Sequence, residues 1–564
     1  MKQSDVKLDF QLLSSLEKVF PDSEIQSGSG NTFFEGARGE TIAFQIVFKC
    51  AEPGGIYLTF RADSELAGIS FREVCYVPCE MPGAGDDPFM LRTAPGLYPD
   101  PLRPQTEPLR LPPGICKSVW ISVPLGETLK PGNYDLKVTA SRYLYPDDPW
   151  GPADGKKTFQ LEIPVRIRVH AAALPKQKLI LTNWFYVDCL AEYYHVKVWS
   201  EKFWRILENY LRNYTAHGRN MLLTPLWTVP LDTRIGGERP TAQLLEIEYE
   251  NGKYHFDFSR LKQWIDLGRD CGVEYFEMSH FFTQWGAEFT PKIVVRINGQ
   301  PVKKFGWHVA ATSPEYQDFL RQLMPQLLRF LRREKLSGRC YFHFSDEPRE
   351  KSLESYRRAA SILNRYVNND EFPVIDALSS VKFFQQGLVK RPVPWFVHID
   401  DFTREKLPER WCYFAGAHPE YPARSYGAPL CRYRILGVLL YLYEMDGFLH
   451  WGHNFWFTQY SRRTRLDPWK ETTAGGCFTG GHNFNVYPGE DGRPVDSLHY
   501  ESFMEAMQDL RLLRELESRI GRKAVVKLIH AGLDYEIRMN RFPHSADYLE
   551  KLHTAVLRKL DRAD

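Results

Sequence analysis

Two neighbouring carboxylates, Asp346 and Glu347, follow an apolar run in the stretch HFSDEPRE, residues 343–350. A negative charge on Asp346 disfavours ionisation of Glu347, and so can keep Glu347 protonated near neutral pH. A protonated carboxyl group can donate its proton to the oxygen of a leaving group. The same stretch could instead begin a helix, because Ser345 and Asp346 can accept from the free N–H groups of a first turn and Pro348 suits that turn.

The adjacency of the two acids limits the chemistry that they can perform together. The standard glycosidase pair flanks a sugar ring with carboxyl groups about 5–5.5 Å apart for retention or about 6.5–9.5 Å apart for inversion. Consecutive residues do not take opposite faces of a ring in this way, so the pair suits a substrate that brings its own nucleophile. The conventional alternative keeps Glu347 as the acid and takes Asp400 or Asp376 as the second carboxylate.

Eight apolar runs after residue 178 alternate with stretches that have the three-and-four spacing of amphipathic helices. This alternation predicts a closed parallel (β/α)8 barrel of the TIM type, with its chemistry at the carboxyl ends of the strands. The acid pair ends the fourth run, and the other runs also end in polar or aromatic residues. The runs are residues 179–187, 221–227, 275–280, 340–347, 374–380, 395–400, 411–416 and 447–452.

The remainder of the chain predicts two further parts. Up to about residue 175, short runs with the period-two alternation of strands are separated by Gly/Pro turns, which predicts an antiparallel β-sandwich. From His499 onward, three stretches are amphipathic, and the first of them is expected to complete the barrel. The predicted organisation is multidomain: a β-sandwich over 1–175, a catalytic barrel over 176–520 and a C-terminal helical appendix over 521–564.

The composition of the 564-residue chain argues against several classes of protein. Its 72 Lys and Arg nearly balance its 70 Asp and Glu, so no charge field favours nucleic acid or an anionic membrane. No run of about 18 apolar residues and no signal peptide are present, which predicts a soluble, cytoplasmic protein. The ten cysteines lack zinc-site spacing, and the common nucleotide and hydrolase motifs are missing, so we expect no metal or organic cofactor.

Several stretches of the chain form a recognisable set. They are GARGETIAFQIVF, SVWISVPLGETLKPGNYDLKV, HFSDEP, RWCYFAG, RILGVLLYLYEMDGFLHWGHNFW, DPW and YPGEDGRPVDSLHYE. Together they resemble glycoside hydrolase family 123 and the related group formerly called domain of unknown function 4091. The resemblance implies a β-sandwich followed by a (β/α)8 barrel. It also implies release of terminal β-linked N-acetylgalactosamine by a retaining reaction in which the 2-acetamido oxygen attacks C1 and forms an oxazolinium ion.

The resemblance also assigns roles to individual residues. Asp346 would orient the acetamido group and stabilise its developing charge, and Glu347 would act as general acid and then as general base. Tyr413, in WCYF, matches a tyrosine that would hydrogen-bond the acetamido carbonyl. The sequence supports equally well the alternative that Tyr413 is simply buried within its strand.

Aromatic residues make up 14% of the chain, and their flat apolar faces can either pack against sugar rings or fill a core. We expect Trp395, Trp451 and Trp456 to be candidates for the walls of a sugar pocket, although ordinary packing is the preferred interpretation for Trp456. His453 is a further candidate contact with the sugar. Its preferred alternative is a histidine hydrogen-bonded within the fold.

The expected partner is an oligosaccharide or glycoconjugate with a terminal β-N-acetylhexosamine. The choice of galactosamine over glucosamine comes from the resemblance alone. Two alternatives stay open at this point: a conventional two-carboxylate glycosidase or other hexosaminidase, and a non-catalytic carbohydrate-binding protein, because a fold alone does not imply activity. The sequence does not indicate the oligomeric state.

Overall fold

The computed structural model describes residues 8–145, 159–416 and 418–563. Among these residues, no helix is both long and apolar enough to cross a lipid bilayer. The ten cysteines are free thiols, and all except Cys477 are buried.

The chain folds into two compact units. The first unit takes the described residues of Met1–Gln177, Ala417–Leu442 and Val495–Asp564, and the second takes Lys178–Gly416 and Tyr443–Pro494. We call the second the barrel unit. The predicted domains 1–175, 176–520 and 521–564 stay a prediction.

The first unit contains two mainly antiparallel sheets that share one hydrophobic core. In the first sheet the strands lie in the order Leu8–Ser14, Thr41–Cys50, Cys116–Pro124, Ser70–Cys79, Gly96–Pro104 and Pro494–Ser497. In the second sheet the order is Phe33–Arg38, Gln160–Ala173, Gly132–Tyr143, Ile56–Ser64 and Leu109–Leu111. The alternating sequence explains the arrangement, since every second side chain of a strand points into the shared core. The prediction of an antiparallel, strand-rich N-terminal region is confirmed.

The first unit also contains the C-terminal helices. Its helices are Cys431–Arg434, Leu436–Leu442, Leu498–Ile520, Arg522–Ile529 and Ala546–Ala563. Leu498–Ile520 begins at Ser497, whose side chain accepts from Tyr500 N, and it is tied to the unit by the guanidinium of Arg434, which pairs with Asp509. The sequence predicted that this helix completes the barrel, whereas the structure groups it with the first unit.

The barrel unit is built on eight parallel strands that follow one another around a nearly closed barrel. The strands are four or five residues long and fully buried except at single ends, as expected for parallel strands covered on both faces. The eighth strand pairs with the first, and the sixth and seventh meet through one bridge, Trp395–Tyr413. The strands are Ile180–Asn183, Met221–Thr224, Tyr275–Met278, Cys340–His343, Val374–Leu378, Arg391–Pro394, Trp411–Phe414 and Gly447–His450.

The sixth strand corrects one prediction. We expected it in WFVHID, residues 395–400, but it is Arg391–Pro394, and the predicted segment forms the short helices Phe396–His398 and Ile399–Phe402. Prolines 392 and 394 are tolerated because this strand has a full partner on one side only.

Helices and an additional sheet complete the barrel unit. Its other helices are Val187–Tyr193, Glu201–Ala216, Ser259–Asp270, Pro314–Arg333, Glu350–Ser352, Leu353–Leu363 and Lys382–Gln385, with a short turn at Gln459–Ser461. Pro314–Arg333 shows why they form where they do: Ser313 accepts from Tyr316 N and proline occupies the first turn. The loops after the second and third strands carry a four-stranded sheet, and a short strand lies near the end of the unit. These strands are Glu246–Glu250, Lys253–Asp257, Ile293–Ile297, Gln300–Phe305 and Tyr487–Pro488.

Candidate active site

The acid pair lies directly beyond the fourth barrel strand, Cys340–His343, and does not cap a helix. Phe344 and Ser345 separate the strand from the pair, and Ser345 Oγ donates to Thr283 O at 2.8 Å. The next helix, Glu350–Ser352, is preceded by Arg349 and has no side-chain cap. The helix-start interpretation of HFSDEPRE is therefore wrong, and the two carboxyl groups are free for another role.

The backbone of Glu347 is held in an unusual conformation. Its φ is +43°, in the left-handed region that costs a non-glycine residue about 1–3 kcal/mol and that concentrates at functional sites. Two hydrogen bonds fix the pair: Glu347 N donates to Ala377 O at 3.0 Å, and Trp285 N donates to Asp346 O at 2.7 Å. Both acidic side chains are half-buried. The chain thus accepts local strain in order to place these two groups at the mouth of the barrel.

Tyr413, in the seventh strand, reaches across to the acid pair. Its hydroxyl donates to Glu347 Oε1 at 2.6 Å, and its side chain is only 3% exposed. Burial first, and the negative charge of Glu347 second, raise the pKa of Tyr413 well above its usual range. Tyr413 therefore stays protonated and keeps its role as a hydrogen-bond donor in the site.

The electrostatics of the pair centre on Asp346. Burial, followed by the negative charges of Glu347, Asp376 and Asp232, raises the pKa of Asp346 well above its usual range. The sequence led us to expect the proton of the pair on Glu347. Nothing in the sequence indicated the raised pKa of Asp346, which arises because this group is buried and further carboxylates lie near it.

The two candidates for a conventional second carboxylate lie in different surroundings. Asp376 is fully buried, and its Oδ2 accepts from Tyr356 OH at 2.5 Å and from Ser345 N at 3.2 Å. Asp400 is exposed, and its Oδ1 accepts from Tyr443 OH. Asp376 supports the backbone ahead of the acid pair, and a substrate does not reach it.

Replacement of Asp376 by Asn tests how this buried carboxyl group makes stability depend on pH. Burial raises the pKa of Asp376 to about 7, so the folded protein holds a proton there that the unfolded chain releases above about pH 4. As the pH rises towards 7, the free energy of unfolding of the wild type should therefore fall relative to that of Asp376→Asn, by at most about 1.4 kcal/mol per pH unit. Above about pH 7 the difference should stay constant. Thermal unfolding from pH 5 to pH 8 measures this difference. A constant difference across that range, or a similar trend in the exposed control Asp401→Asn, would contradict it.

Two of the predicted tryptophan walls are half-buried and remain candidates. Trp395 follows the sixth strand, and its Nε1 donates to Ala415 O at 2.8 Å. Trp451 follows the eighth strand, and its ring packs 5.1 Å from that of Phe478. Each keeps part of its ring surface accessible.

The other two predicted sugar contacts lie in the packed interior. His453 is fully buried and stacks on Phe185 at a centroid distance of 5.5 Å. Trp456 is 2% exposed, and its Nε1 donates to Val486 O at 3.2 Å. Both residues therefore support the fold around the eighth strand, and neither presents a surface to a sugar in this conformation.

A buried polar cluster beneath the acid pair was not predicted. Glu277, in the third strand, accepts from Thr182 Oγ1 at 2.9 Å and from Trp184 Nε1 at 2.8 Å, and it lies 2.6 Å from His343 Nε2. Next to it, burial and the neighbouring His343 lower the pKa of His280 well below its usual range. The only signal in the sequence was a lone glutamate inside an apolar strand.

Three half-exposed loop residues beside the pair, Asp232, Trp285 and Tyr460, were also missed. They follow the second, third and eighth strands, so only the expectation that chemistry lies at carboxyl ends could have indicated them. Within the described part of the barrel unit, no three His, Cys, Asp or Glu side chains lie close enough together to share a metal ion.

The family model for the catalytic domain of glycoside hydrolase 123 matches residues 184–516, which include the acid pair and Tyr413. Fold and site together thus define an enzyme of the glycoside hydrolase class. The chain belongs to glycoside hydrolase family 123. No curated protein sequence matches the chain.

A solved structure supports the fold. The chain is similar to a family 123 glycoside hydrolase from Clostridium perfringens, studied for the details of glycolipid glycan hydrolysis, with a TM-score of 0.71 and 13% identity over 99% of this chain and 98% of that chain. A β-glucosidase from Listeria innocua in complex with isofagomine matches 30% of this chain and 17% of its own, with 12% identity and a TM-score of 0.12. The last match is too weak to bear on the fold.

Proposed function

We propose that the chain is a retaining exo-glycosidase that releases terminal β-linked N-acetylgalactosamine from an oligosaccharide or glycoconjugate by substrate-assisted catalysis. The observation that carries the proposal is the arrangement of Asp346 and Glu347, side by side beyond one strand, with Tyr413 bonded to Glu347. Asp376, the nearest candidate for a conventional second carboxylate, is closed off from substrate. Consecutive carboxyl groups do not flank the two faces of a sugar ring, so the proposal takes the nucleophile from the substrate.

In the first step Glu347 gives its proton to the glycosidic oxygen. The acetamido carbonyl oxygen attacks C1 as the bond from C1 to the leaving group breaks, which produces an oxazolinium ion and a protonated aglycone. In the second step the Glu347 carboxylate removes a proton from water. The water oxygen attacks C1, and the bond from C1 to the acetamido oxygen breaks, which opens the oxazolinium ring. C1 is inverted twice, so the product keeps the β configuration.

Asp346 and Tyr413 act on the acetamido group during these steps. Asp346 accepts from the acetamido N–H, and its negative charge stabilises the positive charge of the oxazolinium ion. Burial and the neighbouring carboxylates raise the pKa of Asp346, and the positive charge that develops on the oxazolinium ion would favour the ionised form of this group. Tyr413, which donates to Glu347, would donate to the acetamido carbonyl of the bound sugar, with Trp395 and Trp451 at the sides of the pocket.

A panel of aryl glycosides tests the proposed substrate and its stereochemistry. We expect the β-glycoside of N-acetylgalactosamine to be cleaved, with the corresponding glucosamine compound cleaved more slowly and the α-glycosides left intact. Proton NMR during the first minutes should show the β-anomer of the released sugar before mutarotation. Early release of the α-anomer would rule out the retaining mechanism.

Replacement of Tyr413 by Phe tests the hydroxyl group in the site. Loss of a hydrogen bond to a charged group should lower kcat/KM by about 10- to 100-fold, since such a bond contributes about 1.5–3 kcal/mol. Steady-state kinetics with the aryl N-acetylgalactosaminide measure this effect. Tyr275→Phe, at the start of the third strand, is the matched control, and an equal loss in both variants would remove the special role of Tyr413.

A further inference from the structure

Three residues from separate loops share an unusual backbone conformation next to the acid pair. Asp232, Trp285 and Tyr460 have φ angles of +43°, +65° and +58°. Residues other than glycine rarely adopt this region, and where they do the strain tends to lie at ligand-binding sites. All three side chains are half-buried, so each keeps an accessible surface.

Direct contacts join the three residues to one another and to the acid pair. Tyr460 N donates to Asp232 Oδ2 at 3.0 Å. The Trp285 and Tyr460 rings meet edge to face, with centroids 5.7 Å apart and planes at 87°. Trp285 N donates to Asp346 O at 2.7 Å. The aromatic pair and the Asp232 carboxylate therefore lie on the Asp346 side of the pair.

The backbone of the loop that carries Asp232 is held by hydrogen bonds to buried side chains. Asp232 N donates to Gln284 Oε1 at 2.8 Å. The buried Arg239 makes a two-point pair with Asp188, at 2.8 Å in both bonds, and its Nη1 donates to Leu231 O at 3.2 Å. A buried, two-point arginine–carboxylate pair holds its surroundings rigidly. Asp232 is thus presented in a set orientation before any ligand arrives.

The carboxylate of Asp232 retains capacity to accept hydrogen bonds. In the part of the chain that the structure describes, no protein group donates to its Oδ1. Burial raises the pKa of Asp232 to about 6, while the positive charge of Arg239 opposes that rise. An ionised carboxylate offers about four acceptor positions, and hydroxyl groups are donors of the kind it needs.

We propose that Asp232, Trp285 and Tyr460 form a sugar subsite, in which Asp232 accepts hydrogen bonds from ring hydroxyls of the terminal sugar and the aromatic pair packs against its apolar face. A sugar ring offers the two chemistries that this subsite combines, a flat C–H face and outward hydroxyl groups. The identity of the terminal sugar as a 2-acetamido hexose rests on the proposed function. The location of the subsite rests on the contacts alone.

Asp232→Asn tests the subsite with deoxygenated substrates. For the parent aryl N-acetylgalactosaminide, the variant should lose about 10- to 100-fold in kcat/KM, mainly through KM, as expected for a lost bond to a charged group. One of the 3-, 4- and 6-deoxy analogues should be equally poor with both proteins, because the bond is already missing. Glu238→Gln, an exposed position on the same loop, is the control and should behave as wild type.

Other outcomes would overturn the subsite. A loss of the same size on the parent and on every deoxy analogue would show that Asp232 touches none of these hydroxyls. A collapse of kcat that azide restores would make Asp232 a nucleophile instead.

A binding measurement separates this inference from the proposed function. Titration with N-acetylgalactosamine, galactose or glucose should change a tryptophan fluorescence signal that Trp285→Phe removes and Asp232→Asn weakens. If the wild type cleaves no acetamido glycoside but this signal is present, the proposed function fails and the subsite stands. If none of the three sugars changes the Trp285 signal, the subsite is refuted even in an active enzyme.

Discussion

Glu347→Gln is expected to lower kcat/KM for a β-N-acetylgalactosaminide with a poor leaving group by about 10²–10⁴-fold, the usual contribution of general acid–base catalysis. Glutamine has nearly the same shape but gives no proton to the leaving oxygen and removes none from water. Because Glu347 is half-buried and its backbone is fixed by Ala377 O, the thermal unfolding transition should change little. Kinetics and thermal unfolding on the same preparations measure both quantities.

The matched control is Glu350→Gln, the same substitution three residues along the chain. Glu350 is exposed and pairs with Lys382 and Ser380, so the control should keep wild-type kcat. Near-wild-type turnover by Glu347→Gln would exclude Glu347 as the acid. A large drop in its unfolding temperature would mean that the substitution perturbs the fold, and Glu347→Asp would then test whether a displaced acid also loses activity.

The second large effect concerns the substrate. An aryl β-galactoside, which lacks the acetamido group, should be cleaved at least about 10⁴-fold more slowly than its acetamido counterpart, because a well-placed internal nucleophile has an effective concentration of about 10⁵–10⁸ M. The ratio of the two kcat/KM values measures the effect. Equal cleavage of both sugars would identify a nucleophile on the enzyme, and Asp232 would be the first residue to test.

An inhibitor gives an independent check of the same chemistry. A thiazoline of the sugar mimics the cyclic intermediate and should bind far more tightly than the product, as expected of a compound that resembles a high-energy state. Asp346→Asn should weaken this inhibition, because it removes the charge opposite the ring nitrogen. Asp401→Asn, an exposed site, is the control, and unchanged inhibition in Asp346→Asn would contradict the orienting role.

The sequence predicted the strand ends better than the contacts made there. Seven of the eight apolar runs contain a barrel strand, since buried parallel strands have a strong apolar signal. The sixth was misplaced because its strand contains two prolines and the neighbouring WFVHID is more apolar. Fold class and the acid pair were therefore within reach of sequence reasoning.

The rest of the site depends on contacts between distant parts of the chain. Asp232, Trp285 and Tyr460 lie in loops up to 228 residues apart, and no local pattern indicates that Tyr460 N meets Asp232. The pKa of Asp346 also depends on distant parts of the chain, because the charges that raise it include those of Asp376 and Asp232. His453 and Trp456 had suitable residue types, but only packing showed that they are enclosed.

The single bridge between the sixth and seventh strands, at Trp395 and Tyr413, has a mechanical consequence. Around the rest of the barrel, opening would break a ladder of two or more backbone pairings, except where the first strand meets the second. Tyr413 forms one side of the weak join and also bonds to Glu347 across the barrel mouth. A small separation of the sixth and seventh strands would therefore shift Tyr413 relative to Glu347. The rigidity of this strand contact thus determines how accurately the Glu347 carboxyl group is oriented.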